Sequence, residues 1–231
     1  MSAINLQLKM LETVAEALGE ELINDVVFVG GCTTGLLVTD DFIKEQIRYT
    51  DDVDLIVDVI GYAAWSELQD NLKRKGFSIE MGEDVICRMS LNGLKVDFMP
   101  TDSATLGFTN IWYKDAIETA LDYQLNNTIT IKLIKPEYFV ATKLEAYCGR
   151  GGGDALTSHD IEDIINIFDG RDSIVAEIQN APLDLRAYIS EQIQSLLEDM
   201  NFEYAIQDAS RNDTKREALI FERLEGCLLN G

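Results

Sequence analysis

The sequence predicts an α/β domain over residues 1–134, followed by a helical domain over residues 135–231. In the first half, short apolar runs rich in β-branched residues alternate with amphipathic segments of helical period. A strong hairpin signal, Asn92-Gly93, separates two alternating segments there. Beyond Pro136, four segments have helical periodicity, and Gly-rich or polar joints separate them.

Local patterns predict each element of the first half in turn. Apolar residues at helical spacing predict a helix over about Asn5–Leu22. The run VVFVGG, residues 26–31, predicts a buried strand, and the segment after Gly31 is expected to begin as a helix packed on the sheet. The run DDVDLIVDVI, residues 51–60, predicts a second strand. The helical pattern that follows is expected to end at a C-terminal glycine, Gly76.

The rest of the first half is predicted to be extended. Residues 78–81 and 85–100 alternate between apolar and polar side chains, and NTITIKLIKP, residues 127–136, is a further strand closed by Pro136. The four helical segments of the second half are PEYFVATKLEAYCGR (136–150), TSHDIEDIINIF (157–168), LDLRAYISEQIQSLLEDM (183–200) and DTKREALIFERLEGCLL (213–229).

The chain is strongly acidic, with 41 acidic and 19 basic residues and a formal net charge of −22. This charge disfavours general binding to DNA or to anionic membranes, which depends on clustered Lys and Arg, and it leaves room for a basic protein partner. The N-terminus lacks the pattern of a signal peptide, and no apolar run approaches the roughly 18 residues of a membrane span. We therefore expect a cytoplasmic protein with no membrane partner.

Cysteine and histidine usage disfavours a zinc site. The four cysteines, Cys32, Cys87, Cys148 and Cys227, are scattered singly, and His159 is the one histidine. Zinc sites of the ordinary type need paired cysteines or several histidines. Buried free thiols in a reducing compartment are therefore the expected state.

A glycine pair that ends one apolar run is followed by acids that open another. The two stretches are FVGGCTTGL, residues 28–36, and DDVDLIVDV, residues 51–59. The glycines Gly30, Gly31 and Gly35 lack the Rossmann spacing, and a Rossmann acid follows its strand instead of preceding it. No GK[ST] marks a P-loop, and no mid-loop glycine marks an EF-hand. A dinucleotide-dependent oxidoreductase is therefore disfavoured.

Three acids are candidates for a metal site. Residues two apart on a strand share a face, so Asp52 and Asp54 are predicted to project side by side. If the strand of Asp97 lies next to theirs, three carboxylates converge and repel one another. Divalent cations would relieve this repulsion, and oxygen-only ligands suit Mg²⁺ or Mn²⁺. A solvated strand edge for the first two acids and an exposed hairpin face for the third are the alternatives.

The stretches VGGCTTGLL, RYTDDVDLIV and KVDFMP, in this order, resemble the nucleotidyltransferase fold of the DNA polymerase β superfamily. That resemblance covers about residues 26–168 and implies a mixed central sheet flanked by helices. The downstream KLEAYCGR…SHDIEDI is similar to the AbiEii-type nucleotidyltransferases, which include toxins of toxin–antitoxin pairs. In the short Lys-Asp-x-x-Asp motif of those proteins, His159 takes the place of the Lys.

The resemblance implies a reaction and roles for the central residues. The backbone amides of Gly30 and Gly31 would hold the triphosphate of an NTP, and Asp52 and Asp54 would bind both metal ions. Asp97 would bind the catalytic metal and help to deprotonate an acceptor hydroxyl. A nucleoside monophosphate is then transferred and pyrophosphate released. The acceptor stays open among small molecules, proteins and RNA ends, and an antitoxin-like protein partner is a further expectation. The alternative is a non-catalytic protein on this fold that binds a nucleotide or a partner.

Further candidates surround this set. Asp160 and Asp163 are predicted to support the metal site from behind its direct ligands, with a helix cap in a capping box as the alternative for Asp160. The alternative for Arg48 is an ion pair with surface acids. The alternative for Lys143 and Arg150 is that they lie on a solvated helix face. The residues assigned to nucleotide binding besides the two glycines are Thr33, Arg48, Thr50, Lys143 and Arg150.

Overall fold

The computed structural model describes residues 2–79, 85–150, 153–211 and 213–229, and within them the chain forms two compact units. The first contains Met1–Thr33 and Arg48–Lys135, and the second contains Thr34–Ile47 and Pro136–Gly231. Residues 34–47, which the sequence analysis placed in the α/β domain, therefore group with the helical unit. Part of the predicted extended segment 78–81 lies outside the described residues.

The strands of the first unit form one mixed sheet, as predicted. The described strands are β1 (Val26–Val29), β2 (Asp52–Val57), β3 (Arg88–Leu91), β4 (Leu94–Pro100), β5 (Leu121–Gln124) and β6 (Thr130–Leu133). Their order in the sheet is β3-β4-β2-β1-β6-β5, in which β2 is parallel to β4, β1 is parallel to β6, and the other neighbours are antiparallel. The strand β5 was not predicted.

Helices occupy much of both units. Several begin at a side chain that accepts a hydrogen bond from the backbone of the first turn, such as Asp40, Ser158 and Asp213. The described helices are α1 (Ala3–Leu22), α2 (Thr34–Leu37), α3 (Asp41–Lys44), α4 (Gly61–Arg74), α5 (Ser103–Leu106), α6 (Tyr113–Thr119), α7 (Pro136–Gly149), α8 (His159–Gly170), α9 (Ile174–Gln179), α10 (Leu183–Leu197), α11 (Met200–Ala209) and α12 (Thr214–Glu225).

The hairpin of β3 and β4 turns at the predicted dipeptide. Asn92 has φ 54° and Gly93 has φ 84°, the positive values that a two-residue hairpin turn requires. The turn pairs Leu91 with Leu94. The position of every later pair along this hairpin follows from that register.

The core of the sheet unit explains why the acids face outward. Val53 and Leu55 on β2 are fully buried, so Asp52 and Asp54 take the opposite face of the strand. Across the sheet, Phe98 of β4 is also fully buried and meets the ring of Phe77 edge to face at 5.5 Å between centroids. The alternation of apolar residues thus holds β2 in the core and directs the carboxylates of Asp52 and Asp54 to the opposite face.

The helical unit is built around α7 and α8. Helix α7 is buried around most of its circumference, and α8 buries a run of isoleucines together with Phe168. The carbonyl oxygen of Gly170, at the end of α8, accepts hydrogen bonds from the backbone N–H groups of Thr39 at 2.8 Å and Asp40 at 2.9 Å. Arg171 also donates to the carbonyl oxygen of Leu37 at 2.6 Å. These contacts attach residues 34–47 to the helical unit.

The length and hydropathy of the helices decide whether any of them could cross a membrane. In the part of the chain that the structure describes, none of them has both the length and the apolar character that crossing a membrane demands.

Gly170→Ala is expected to destabilise the protein. A β-carbon at Gly170 would lie 2.5 Å from Val38 Cγ1 and 3.0 Å from Ile43 Cγ2, so the packing of residues 34–47 would have to shift. Overpacking of this kind costs about 1–3 kcal/mol. Urea unfolding monitored by circular dichroism measures the change.

The matched control is Gly149→Ala on α7. A β-carbon at Gly149 meets nothing within 4 Å, and Ala favours helix over Gly, so this variant should be as stable as the parent or slightly more so. Equal stability of the two variants would contradict the packing assigned to Gly170.

Candidate metal centre

Strand pairing brings the three predicted acids together. Asp52 and Asp54 lie on β2, and Asp97 lies on the adjacent parallel strand β4, directly opposite Asp54 in the register. One carboxylate oxygen of each residue lies within 4.8 Å of those of the other two. Asp97 is 7% exposed, and the other two are half-buried. The predicted convergence is therefore confirmed, and the three acids lie close enough to bind a metal ion.

An arginine that the sequence analysis missed neutralises part of this charge. Arg88 Nε donates to Asp97 Oδ1 and one terminal nitrogen donates to Asp97 Oδ2, both at 2.7 Å. The same terminal nitrogen lies 3.4 Å from Asp52 Oδ2. Arg88 is the first residue of β3 and stands opposite Asp97 in the antiparallel hairpin. This bidentate geometry is the strongest form of an arginine–carboxylate contact.

Gly30 leaves room for Asp54. It has φ 73°, and a β-carbon built on it would lie 1.7 Å from Asp54 Oδ2. Only glycine therefore fits between the end of β1 and this carboxylate. The following residues Gly31–Thr33 form a 3-10 turn, and Gly31 is buried.

Thr33 supports the glycine turn with its own polar atoms. Its backbone N–H donates to the carbonyl oxygen of Gly30 at 3.0 Å, and its hydroxyl donates to the same oxygen at 2.8 Å. Thr33 is fully buried. In this position the hydroxyl stabilises the turn, and the nucleotide contact expected of Thr33 stays a prediction.

Thr50 and Arg48 lie on the segment that leads into β2. Thr50 Oγ1 donates to Asp52 Oδ1 at 2.5 Å, and Thr50 is 8% exposed. This bond fixes the orientation of the Asp52 carboxylate. Arg48 is half-buried, and its carbonyl oxygen accepts a hydrogen bond from Gln7 Nε2 at 3.1 Å. Gln7 thereby ties the segment to α1.

The four candidates of the helical unit form one charged cluster. Lys143 Nζ lies 2.7 Å from Asp163 Oδ2 and 3.2 Å from Asp160 Oδ1. Arg150 contacts the other oxygen of Asp160 at 2.5 Å. Thr34 Oγ1 donates to Asp163 Oδ1 at 3.2 Å. The cations and acids that the sequence analysis assigned to separate roles are thus direct partners of one another.

The capping-box alternative for Asp160 is wrong, and the solvated-face alternative is wrong for Lys143 but agrees with the exposure of Arg150. The N-cap of α8 is Ser158, whose side chain accepts from Ile161 N, so Asp160 belongs to the first turn and is not part of a capping box. Lys143 is not on a solvated face, since its side chain is 12% exposed, whereas that of Arg150 is 73% exposed.

The chemistry of the donor set fits a hard divalent cation. All three clustered ligands are carboxylates, the donors that Mg²⁺ and Mn²⁺ prefer. Two thiols in the same unit stay protonated: burial raises the pKa of Cys87 to about 12, with a contribution from Asp97, and burial raises the pKa of Cys32 strongly, with Asp54 contributing. The ordinary thiolate ligands of soft metals are therefore disfavoured here.

Comparison with known proteins adds no assignment. The chain matches none of the protein-family models, and no curated protein is significantly similar in sequence. The resemblance of the motifs to nucleotidyltransferases therefore stays a prediction.

Asp163→Asn is expected to destabilise the helical unit. Asp163 is fully buried, and its replacement removes the negative charge 2.7 Å from Lys143 while leaving that ammonium group enclosed. Because Lys143 keeps Asp160 at 3.2 Å, the cost should be that of a lost charged hydrogen bond, about 1.5–3 kcal/mol, and not that of a buried charge left without any partner. Thermal or urea unfolding measures the loss.

Asp122→Asn is the matched control. Asp122 contacts Lys132 at the same distance, 2.7 Å, but its side chain is 69% exposed. Loss of an exposed pair should cost less than about 1 kcal/mol. Comparable losses in the two variants would show that burial does not determine the contribution of the Lys143 cluster.

Proposed function

We propose that the protein is a metal-dependent nucleotidyltransferase, which moves a nucleoside monophosphate from an NTP to an acceptor hydroxyl and releases pyrophosphate. The observation that carries this proposal is the convergence of Asp52, Asp54 and Asp97 on two parallel strands beside the glycine turn at Gly30. Three carboxylates at one point suit Mg²⁺, and phosphoryl transfer depends mainly on positioning and on neutralising charge.

Each residue of the site has a proposed role in this reaction. Asp52, Asp54 and Asp97 would hold the divalent cations, which would polarise the attacking hydroxyl and neutralise the charge of the leaving group. The hydroxyl oxygen forms a bond to the α-phosphorus, the bond from that phosphorus to the bridging oxygen breaks, and pyrophosphate leaves. The hydroxyl proton passes to Asp97 or to water. Thr50 keeps Asp52 in one orientation through its 2.5 Å hydrogen bond.

Of the two cations in the helical unit that were assigned to nucleotide binding, Arg150 is the better placed to contact phosphate. Its side chain is 73% exposed, whereas Lys143 is enclosed by Asp160 and Asp163. Bidentate guanidinium groups suit phosphate oxygens. We assign Lys143 to holding the cluster together, which leaves Arg150 as the more accessible cation of the pair.

The net charge of the protein restricts the class of acceptor and of protein partner. A net charge of −22 disfavours a large RNA acceptor, which leaves small molecules, proteins and RNA ends bound locally. The same charge suits a basic, antitoxin-like protein partner. The four free cysteines suit a reducing cytoplasm, where NTPs and Mg²⁺ are abundant.

A second candidate function is a non-catalytic protein that binds a nucleotide or a partner on the same scaffold. The observation in its favour is Arg88, which contacts both carboxylate oxygens of Asp97 and so supplies positive charge where a metal ion would. A guanidinium that never leaves this position would block the metal. Activity and metal binding distinguish the two candidates.

Label transfer tests the catalytic proposal. The protein is incubated with each α-³²P-labelled NTP, Mg²⁺ and cell extract, and the labelled product is separated by class. Asp52→Asn/Asp54→Asn should lower transfer more than about a hundredfold, because residues behind the direct ligands of a metal already contribute about 10–100-fold.

Asp51→Asn/Asp58→Asn provides the control, since it removes the same charge from exposed acids that flank β2. This variant should retain transfer close to the wild-type rate. Transfer that survives in the Asp52/Asp54 variant would refute the assignment of the site. No transfer from any NTP by the wild type would favour the non-catalytic candidate.

A further inference from the structure

Arg88 occupies the oxygens that a metal ion would use. Its guanidinium donates to both oxygens of Asp97 at 2.7 Å, and one terminal nitrogen lies 3.4 Å from Asp52 Oδ2. The side chain of Arg88 is 17% exposed and that of Asp97 is 10% exposed, so water screens this pair little. The contact is therefore a strong one.

A divalent cation and this guanidinium cannot both keep their full contacts. A cation shared by Asp52 and Asp97 would lie next to Arg88, and like charges this close in a poorly hydrated site repel strongly. Metal ions also require carboxylate lone pairs at short, well-directed distances. Entry of a cation must therefore loosen or break the bidentate contact between Arg88 and Asp97.

The position of Arg88 in the fold allows it to leave. Among the described residues, β3 is the last strand of the sheet on its side, with β4 as its neighbour and a single bridge from Ser78 to Ser90 on its outer edge, and Arg88 is its first residue. A long side chain at the end of an edge strand can turn towards solvent without disturbing the ladder. In contrast, Asp52 and Asp54 lie on β2, which has a partner strand on either side.

We propose that Arg88 is an internal counter-cation, which holds the carboxylate cluster in the metal-free protein and is displaced from Asp97 by the divalent cation. The inference rests on the proposed function only through its metal site. The free energy of the Arg88–Asp97 contact is then subtracted from metal binding, since only the fraction of molecules with Arg88 released is competent to bind. Arg88 thereby sets the metal concentration at which the site assembles.

Mn²⁺ binding without nucleotide or turnover tests the proposal. Titration calorimetry and electron paramagnetic resonance give the dissociation constant, and thermal unfolding with and without Mn²⁺ gives the shift in Tm. In Arg88→Met, Mn²⁺ should bind about tenfold more tightly or better, which corresponds to about 1.4 kcal/mol. Its metal-free form should melt below the wild type, and Mn²⁺ should raise its Tm by the larger amount.

Two further variants sharpen the test. Arg88→Lys keeps the charge but loses the bidentate contact, so its affinity for Mn²⁺ should lie between those of the wild type and Arg88→Met. Arg88→Lys also tests the proposal by itself if Arg88→Met fails to fold. Arg171→Met is the matched control, because Arg171 is 18% exposed and makes a bidentate pair with Glu177 in the helical unit. It should lower Tm without changing Mn²⁺ affinity.

The outcomes separate the two proposals. Suppose that both Arg88 variants bind Mn²⁺ as tightly as the wild type or more weakly, and that Asp52→Asn abolishes binding. This result would overturn the counter-cation role of Arg88 and leave the metal site intact. Absence of Mn²⁺ binding from the wild type and from both Arg88 variants would overturn the role of Arg88 and the metal site of the proposed function together. Tighter binding in the Arg88 variants supports the inference whether or not label transfer is detected.

Discussion

The repulsion among three carboxylates is the constraint on which the rest of the structure depends. At an effective dielectric of about 20, two such charges about 5 Å apart repel by roughly 3 kcal/mol. Arg88 offsets one of the three negative charges of Asp52, Asp54 and Asp97, which leaves a formal charge of −2 on the cluster. That residual charge would attract a divalent cation to the cluster.

The fold maintains this crowding through buried backbone elements. Val53 and Leu55 hold β2 in the core, and the parallel register with β4 places Asp97 opposite Asp54. Gly30 then approaches Asp54 so closely that no side chain fits between them. Because strand, register and turn are each determined by packing, the carboxylates cannot move apart to lower their repulsion. The guanidinium of Arg88 therefore compensates part of this unfavourable charge arrangement.

Local pattern accounts for much of the fold and for the three acids. Strand alternation predicted which side chains of β2 face the core, and Asn92-Gly93 predicted the hairpin of β3 and β4. The register of that hairpin places Arg88 opposite Asp97. Counting back from the turn would have predicted this pair, but the sequence analysis did not include it. Other features depend on distant contacts. Residues 34–47 join the helical unit through bonds to Gly170, which no local period reveals. The strand β5 alternates between apolar and polar side chains over only four residues, most of them exposed at the sheet edge, and this short run was not recognised as a strand.

Anomalous diffraction from crystals grown with Mn²⁺ and a non-hydrolysable NTP analogue tests the central claim most directly. The account predicts an anomalous peak between the carboxylates of Asp52, Asp54 and Asp97, with the polyphosphate beside it and the guanidinium of Arg88 withdrawn from Asp97. A cluster without a peak at saturating Mn²⁺, with Arg88 still bound to both oxygens of Asp97, would contradict it.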